Sequence, residues 1–119
     1  MKDFRQLDVW RKAYCLAVDV YEATSSFPRE ELCGLTSQMR RASASVPTNV
    51  AEGCGTSTDM EFARYPGIAR SSASELEYLL PLAHDVGLLE GAVFEGLTGD
   101  TVEIKRMLSA LLKRLRADH

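Results

Sequence analysis

The sequence predicts an all-α fold, an antiparallel up-down-up-down four-helix bundle, and three observations predict it. Apolar residues recur at steps of three and four along four separate stretches. No stretch calls for a strand. The connections between stretches are short, which favours antiparallel neighbours.

In the first stretch Leu7, Trp10, Tyr14, Ala17 and Tyr21 form a stripe. Val9, Ala13, Leu16 and Val20 widen it, so this helix buries more than one side. It ends in the turn-rich Ala23-Thr24-Ser25-Ser26-Phe27-Pro28. Pro28 suits the start of a second helix, where its missing N–H costs nothing. Glu30 and Glu31 then follow the dipole preference of a first turn. The second helix carries Leu35, Met39, Ala42, Val46 and Val50 on its core face and runs to about Gly53. Pro47 inside it predicts a kink or short break near Ala44 to Pro47.

Thr58-Asp59-Met60-Glu61 reads as a capping box that opens the third helix. Its stripe is Phe62, Tyr65, Ala69, Ser72, Leu76, Leu79, Ala83 and Val86. Pro66 lies in the second turn, where few backbone bonds are at stake. Pro81 is expected to bend the last turns, and Gly87 to stop them. The fourth helix carries Phe94, Leu97, Thr101, Ile104, Leu108, Leu111 and Leu115. Gly96 and Gly99 weaken its first half by roughly 1 kcal/mol each relative to Ala. Its start is therefore expected anywhere from Glu90 to Gly99.

The bulk numbers bound the function. At 119 residues the chain is one domain, residues 1–119. A net charge of −3 excludes a polybasic binder of nucleic acid as the description of the whole chain. No apolar run reaches the length of a membrane span. The stretch Met1 to Gln6 lacks the apolar region of a signal peptide. Cys15, Cys33 and Cys54 show no CxxC spacing, so no zinc site is expected. The thiols are read as reduced, in a cytoplasmic protein, with Cys15 near the core face of its helix.

Two features carry candidate function. One is a polar stripe, Gln38, Arg41, Ser45, Asn49 and Glu52, lying roughly 100° around the second helix from its core row. Groups there are half-buried and need partners, which points to a seam with another helix, subunit or ligand. Arg41 is expected to pair with Glu52 or Glu75. Asn49 is expected to satisfy backbone groups freed by Pro47.

The other feature is charge. One candidate set of phosphate contacts is Arg40, Arg41, Arg64 and Arg70. A second is Lys105, Arg106, Lys113, Arg114 and Arg116, with no acid between Lys105 and Arg116. Cations late in a helix also complement its dipole, so a structural role competes. Arg106 and Lys113 lie about 200° from the leucine row and face water. The preceding stretch, Glu75 to Glu103, has seven acids and no Lys or Arg, so the surface is charge-polarised. Repeated in an oligomer, a modest basic patch gains avidity for a polyanion.

The aromatic set Trp10, Tyr14, Tyr21, Phe62, Tyr65 and Tyr78 has the spacing of a core or interface more than of a base-stacking platform. Trp10, Tyr14 and Tyr21 are the candidate oligomer contact. Catalytic signals are poor. There is no HExxH, P-loop or glycine-rich dinucleotide turn. His84 and Asp85 are adjacent and diverge around the helix. Glu61, Glu75 and Glu77 lack the Glu-x-x-His pairs of di-metal bundles. No enzyme activity, cofactor or metal is expected.

Several runs carry a family resemblance: Leu7-Asp8-Val9-Trp10-Arg11-Lys12-Ala13, then Phe27 through Ala42, then Ser45-Val46-Pro47-Thr48-Asn49-Val50-Ala51-Glu52-Gly53, then Glu61-Phe62 and Ile68 through Glu77. Together they resemble the four-helix bundle proteins first noticed as reading frames in intervening sequences of bacterial 23S ribosomal RNA genes. The accessory variability protein of diversity-generating retroelements is a relative in that family. The resemblance implies an antiparallel bundle able to form a barrel-shaped homopentamer. Its retroelement members are basic, bind nucleic acid and associate with a reverse transcriptase. This chain departs in being acidic, in Pro66, and in Ser71 where glycine is frequent. The leading expectation is an oligomeric accessory or scaffold protein that binds RNA, DNA or a nucleic-acid enzyme. The alternative is a protein-interaction module with an acidic docking surface. A small-ligand site or enzyme at Arg41, Asn49 and Glu52 ranks last.

Overall fold

Helix propensity and apolar spacing produce four helices in the computed structural model, which describes residues 3–117: α1 (Asp8–Thr24), α2 (Ser37–Cys54), α3 (Asp59–Asp85) and α4 (Gly91–Ala117). There is no strand among the described residues. Met1 and Lys2, part of the stretch read for a signal peptide, and the terminal His119 lie outside them.

The bundle centre takes Val9, Ala13, Leu16, Ala17 and Val20 from α1. This shifts the expected core stripe. Trp10 is half-buried, while Tyr14 and Tyr21 are 51% and 47% exposed. Compact aliphatic side chains fill the centre, and rings with polar tips turn to the wet edge. Cys15 is exposed, not core-facing, because its neighbour Leu16 takes the inward position.

The second helix starts later than Pro28. A single 3-10 turn spans Arg29–Glu31, and the wider turn Leu32–Thr36 is interrupted at Gly34 (φ −108°, ψ −116°). Regular α-helix begins at Ser37. Met39, Ala42, Val46 and Val50 are buried as expected, and Leu35 is half-buried against them. Helix α2 passes through Pro47 without a break. Pro47 deprives the Ser43 carbonyl of its usual helical partner. Asn49 does not serve that carbonyl: its side-chain amide donates to the Ser45 carbonyl at 2.8 Å and to Ser45 Oγ at 3.0 Å.

Helix α3 opens as a capped helix, with Thr58 Oγ1 accepting from the Glu61 N–H at 3.1 Å. It contains Pro66 and Pro81 and continues to Asp85. Its end is a Schellman motif. Gly87 has a positive φ of 85°, its N–H donates to the His84 carbonyl at 3.0 Å, and the Leu88 N–H donates to the Ala83 carbonyl at 2.9 Å. Val86 stands at this end and is exposed. His84 ties the turn together. Its Nδ1–H donates to the Leu89 carbonyl at 2.9 Å, and its ring stacks on Phe94 with centroids 4.6 Å apart. Helix α4 can therefore begin at Gly91, the early edge of the expected interval, despite Gly96 and Gly99.

Cross-helix contacts fix the topology. Along α2, Arg41, Ser45 and Gly53 meet Glu75, Ser72 and Phe62 of α3 in descending order. On α4, Lys105 and Ser109 meet Glu77 and Arg70 of α3. Arg40 of α2 meets Thr24 at the end of α1, whereas Ala51 shares a hollow with Trp10 near its start. Lys12 of α1 meets Glu103 of α4, and Glu22 lies beside Val93. All four neighbouring pairs are antiparallel, which makes the bundle up-down-up-down. It is a rod of 47 × 21 × 20 Å. The α1–α4 pair is less closely joined than the other three.

Candidate functional site

The polar stripe on α2 proves to be a seam with α3. Ser45 Oγ lies 2.8 Å from Ser72 Oγ, and Asn49 closes on Ser45. Arg41 reaches Glu75 at 3.9 Å, as one expected pairing has it, but its side chain is 71% exposed. Exposed pairs of that length contribute little. Gln38 and Glu52 are exposed rather than half-buried, because the seam is only as wide as the serines. Gly53 belongs to the same seam: a Cβ there would stand 2.7 Å and 2.8 Å from two Phe62 ring carbons.

The structure redistributes the cations. Arg40 is tied to α1, with Nε donating to Thr24 Oγ1 at 2.9 Å and Nη2 to the Tyr21 carbonyl at 3.2 Å. Its guanidinium also lies 4.7 Å from the Tyr21 ring centroid. It acts as a charged cap on the last carbonyls of α1. The expected set Arg40, Arg41, Arg64 and Arg70 thus falls apart, since Arg40 and Arg41 stand on other faces.

Arg64 and Arg70 join the α4 cations instead. Arg70 Nη1 donates to Ser109 Oγ at 3.1 Å. Ser109 lies four residues from both Lys105 and Lys113, which puts all three on one side of α4. Arg64 and Arg116 line one hollow of about 350 Å³ with Met60. Lys105 is neutralised by Glu77 at 2.7 Å, while Arg106, Lys113 and Arg116 are exposed and make no ion pair among the described residues. The result is a basic face built from the first half of α3 and the second half of α4. Arg114 turns the other way, toward Gln6 and Asp8 beside α1. Ser109 is absent from the expected site residues, although its spacing from Lys105 and Lys113 marks it.

The α1–α4 side is acidic. Asp19, Glu22, Asp100 and Glu103 line hollows there. Burial, then the charges of Asp19 and Glu103, hold the Asp100 carboxyl above its ordinary value, with Lys12 opposing them. The hydrogen bond from Lys12 to Glu103, at 2.6 Å, holds the Lys12 ammonium above its own.

The third surface is aromatic. Trp10 stacks on Tyr14 with centroids 5.1 Å apart, and Phe4 packs against Trp10 at 4.8 Å. These rings, with Ala44, Pro47 and Ala51 of α2, line an apolar hollow of about 320 Å³. No group of three or more His, Cys, Asp or Glu among the described residues is placed to hold a metal ion. No helix among the described residues is long and apolar enough to cross a membrane.

A solved structure with the same fold is that of a protein of unknown function from the S23 ribosomal protein family, from Bacteroides thetaiotaomicron. It superposes with a TM-score of 0.79 at 23% identity, over 88% of this chain and 98% of that one. No curated protein matches the sequence. Residues 5–110 match the 23S rRNA-intervening sequence proteins, a span that takes in α1 to α3, the Gly53 seam and most of α4; the chain belongs to that family.

Proposed function

We propose that the protein is a non-enzymatic, self-associating scaffold of the cytoplasm that holds nucleic acid on its basic α3–α4 face. The observation that carries this reading is the convergence of Arg64, Arg70, Arg106, Lys113 and Arg116 from two helices onto one side. Arg70 is half-buried on Ser109 and the other four are exposed; guanidinium and ammonium groups in such a row bind phosphates and release counterions. The exposed rings Tyr14 and Tyr21 lie on α1, away from this face, and Tyr78, exposed on α3, stands about two turns beyond Arg70, so the cations themselves contact backbone rather than stacked bases.

Self-association uses the Trp10, Tyr14 and Tyr21 face. An apolar hollow flanked by half-exposed rings is the composition of an interface centre. The family resemblance supports five copies, and it supports a nucleic-acid enzyme such as a reverse transcriptase as a further partner. Repetition of one modest patch raises the affinity for a long polyanion by avidity, which offsets the net charge of −3.

The test is a gel shift at low salt with generic duplex and single-stranded probes, run beside light scattering. Binding is expected to weaken steeply with added salt, and Arg106→Glu with Lys113→Glu to weaken it more than about tenfold. Absent or salt-insensitive binding would leave a protein-interaction module. A monomeric mass would remove the scaffold.

A further inference from the structure

A groove runs along the α1–α4 seam. Two hollows, of about 290 Å³ and 410 Å³, share Asp19 and Asp100 and so form one trough. Its floor is apolar: Leu16, Leu97 and Ile104 below, with Ala23 and Val93 at one end. Val93 is 39% exposed there. From Val93 to Ile104 the trough follows α4 for about 16 Å, or three helical turns. It exists because α1 and α4 are the least closely joined neighbours in the bundle.

Two further observations say what fits it. Gly96 lines the trough, and a Cβ on Gly96 would meet nothing within 4 Å; the same holds at Gly99, one turn further along α4. Nothing in the monomer explains glycine at these interior helix positions, where it weakens the helix. Glycine does permit a second helix backbone to approach closely. The rim is negative on balance: Asp19, Glu22 and Asp100 make no ion pair among the described residues, while the two cations at its far end are engaged, Arg11 by Asp8 and Lys12 by Glu103.

We propose that this trough seats a cationic amphipathic helix of a partner protein, about three turns long, with small apolar residues against Gly96 and Leu97 and Lys or Arg over Asp19, Glu22 and Asp100. Charge complementarity selects the partner, since a helix with acidic flanks meets three carboxylates that make no ion pair among the described residues. A second copy of this chain fits less well, because the aromatic face of α1 lies on the α2 side of that helix and not on this one. The site is separate from the basic α3–α4 face and does not depend on nucleic-acid binding.

The experiment is fluorescence anisotropy of a labelled synthetic helix with Ala and Leu along one face and Lys on both flanks, titrated with the whole protein. A peptide with Glu in place of Lys is the control. Gly96→Leu fills open space and removes a helix glycine, so circular dichroism should match the native protein and Tm should rise or hold, while affinity for the Lys peptide should fall about tenfold or more. Asp19→Asn with Asp100→Asn should weaken binding by a smaller factor and flatten its salt dependence. Undetectable binding of the Lys peptide, equal binding of the Glu peptide, or unchanged binding by a folded Gly96→Leu protein would overturn the proposal. A changed oligomer mass in Gly96→Leu would assign the trough to a second copy and overturn the choice of partner.

Discussion

Replacing Gly53 by Ala tests the α2–α3 seam directly. The new methyl carbon would stand 2.7 Å and 2.8 Å from two carbons of the Phe62 ring, and 3.0 Å from Tyr65 Cβ. Carbon atoms pack at about 3.5–4.0 Å. The Phe62 ring is 5% exposed and cannot swing freely into solvent. Tyr65 Cβ sits against the backbone, so only a shift of α3 relieves that contact. Overpacking of this kind costs about 1–3 kcal/mol. Removing glycine from a helix returns up to about 1 kcal/mol, less at Gly53 because it is next to the last residue of α2. The net loss is about 1–2 kcal/mol, or a fall in Tm of about 4–8 °C. Gly96→Ala is the matched control: nothing lies within 4 Å, and the same chemical change should raise Tm. The assay is thermal melting by circular dichroism at fixed protein concentration. Phe62→Leu should recover part of the loss in the Gly53→Ala background, since it withdraws the ring. A higher Tm for Gly53→Ala, or equal effects at Gly53 and Gly96, would refute the close approach of α2 and α3.

Arg40→Met should destabilise the protein by about 1–2 kcal/mol in urea unfolding, since it removes charge-assisted bonds to Thr24 Oγ1 and the Tyr21 carbonyl. It should leave nucleic-acid affinity almost unchanged, unlike Lys113→Glu in the same gel shift. Asp100→Asn should alter the pH profile of stability. The folded protein holds the Asp100 proton more tightly than the unfolded chain, so this group's stabilising contribution is complete below the ordinary aspartate value and is lost as pH rises through its raised one. Wild type minus variant, measured by urea unfolding across that acidic window, should fall with rising pH; a flat or rising difference contradicts the partial desolvation and acidic surroundings of Asp100.

Much of this architecture is legible in the sequence because helix periodicity reports which residues lie inward. The α4 row from Leu97 to Leu115 and the α2 row from Met39 to Val50 are buried as spaced. The capping box at Thr58 and the stop at Gly87 arise from local hydrogen bonding alone. On α1 the pattern is ambiguous, since apolar residues cover more than half the helix and only neighbours decide which half is innermost. At Pro28 local preference favours a helix start, but Gly34 interrupts the chain before a regular helix can form. The basic face is half legible. Periodicity places Arg106 and Lys113 toward water, but which cations share a side depends on how α3 lies against α4. Sequence alone therefore groups Arg64 and Arg70 with Arg40 and Arg41, which tertiary contacts separate from them.

The Arg40 guanidinium rests on Tyr21, and that ring also belongs to the half-exposed aromatic edge. Any neighbour that covers Tyr21 expels water from around the cation and the ring, which strengthens their attraction. Docking at that edge thereby tightens the last turn of α1 from outside. Folding and association become linked equilibria, and the melting point should climb as the protein is made more concentrated.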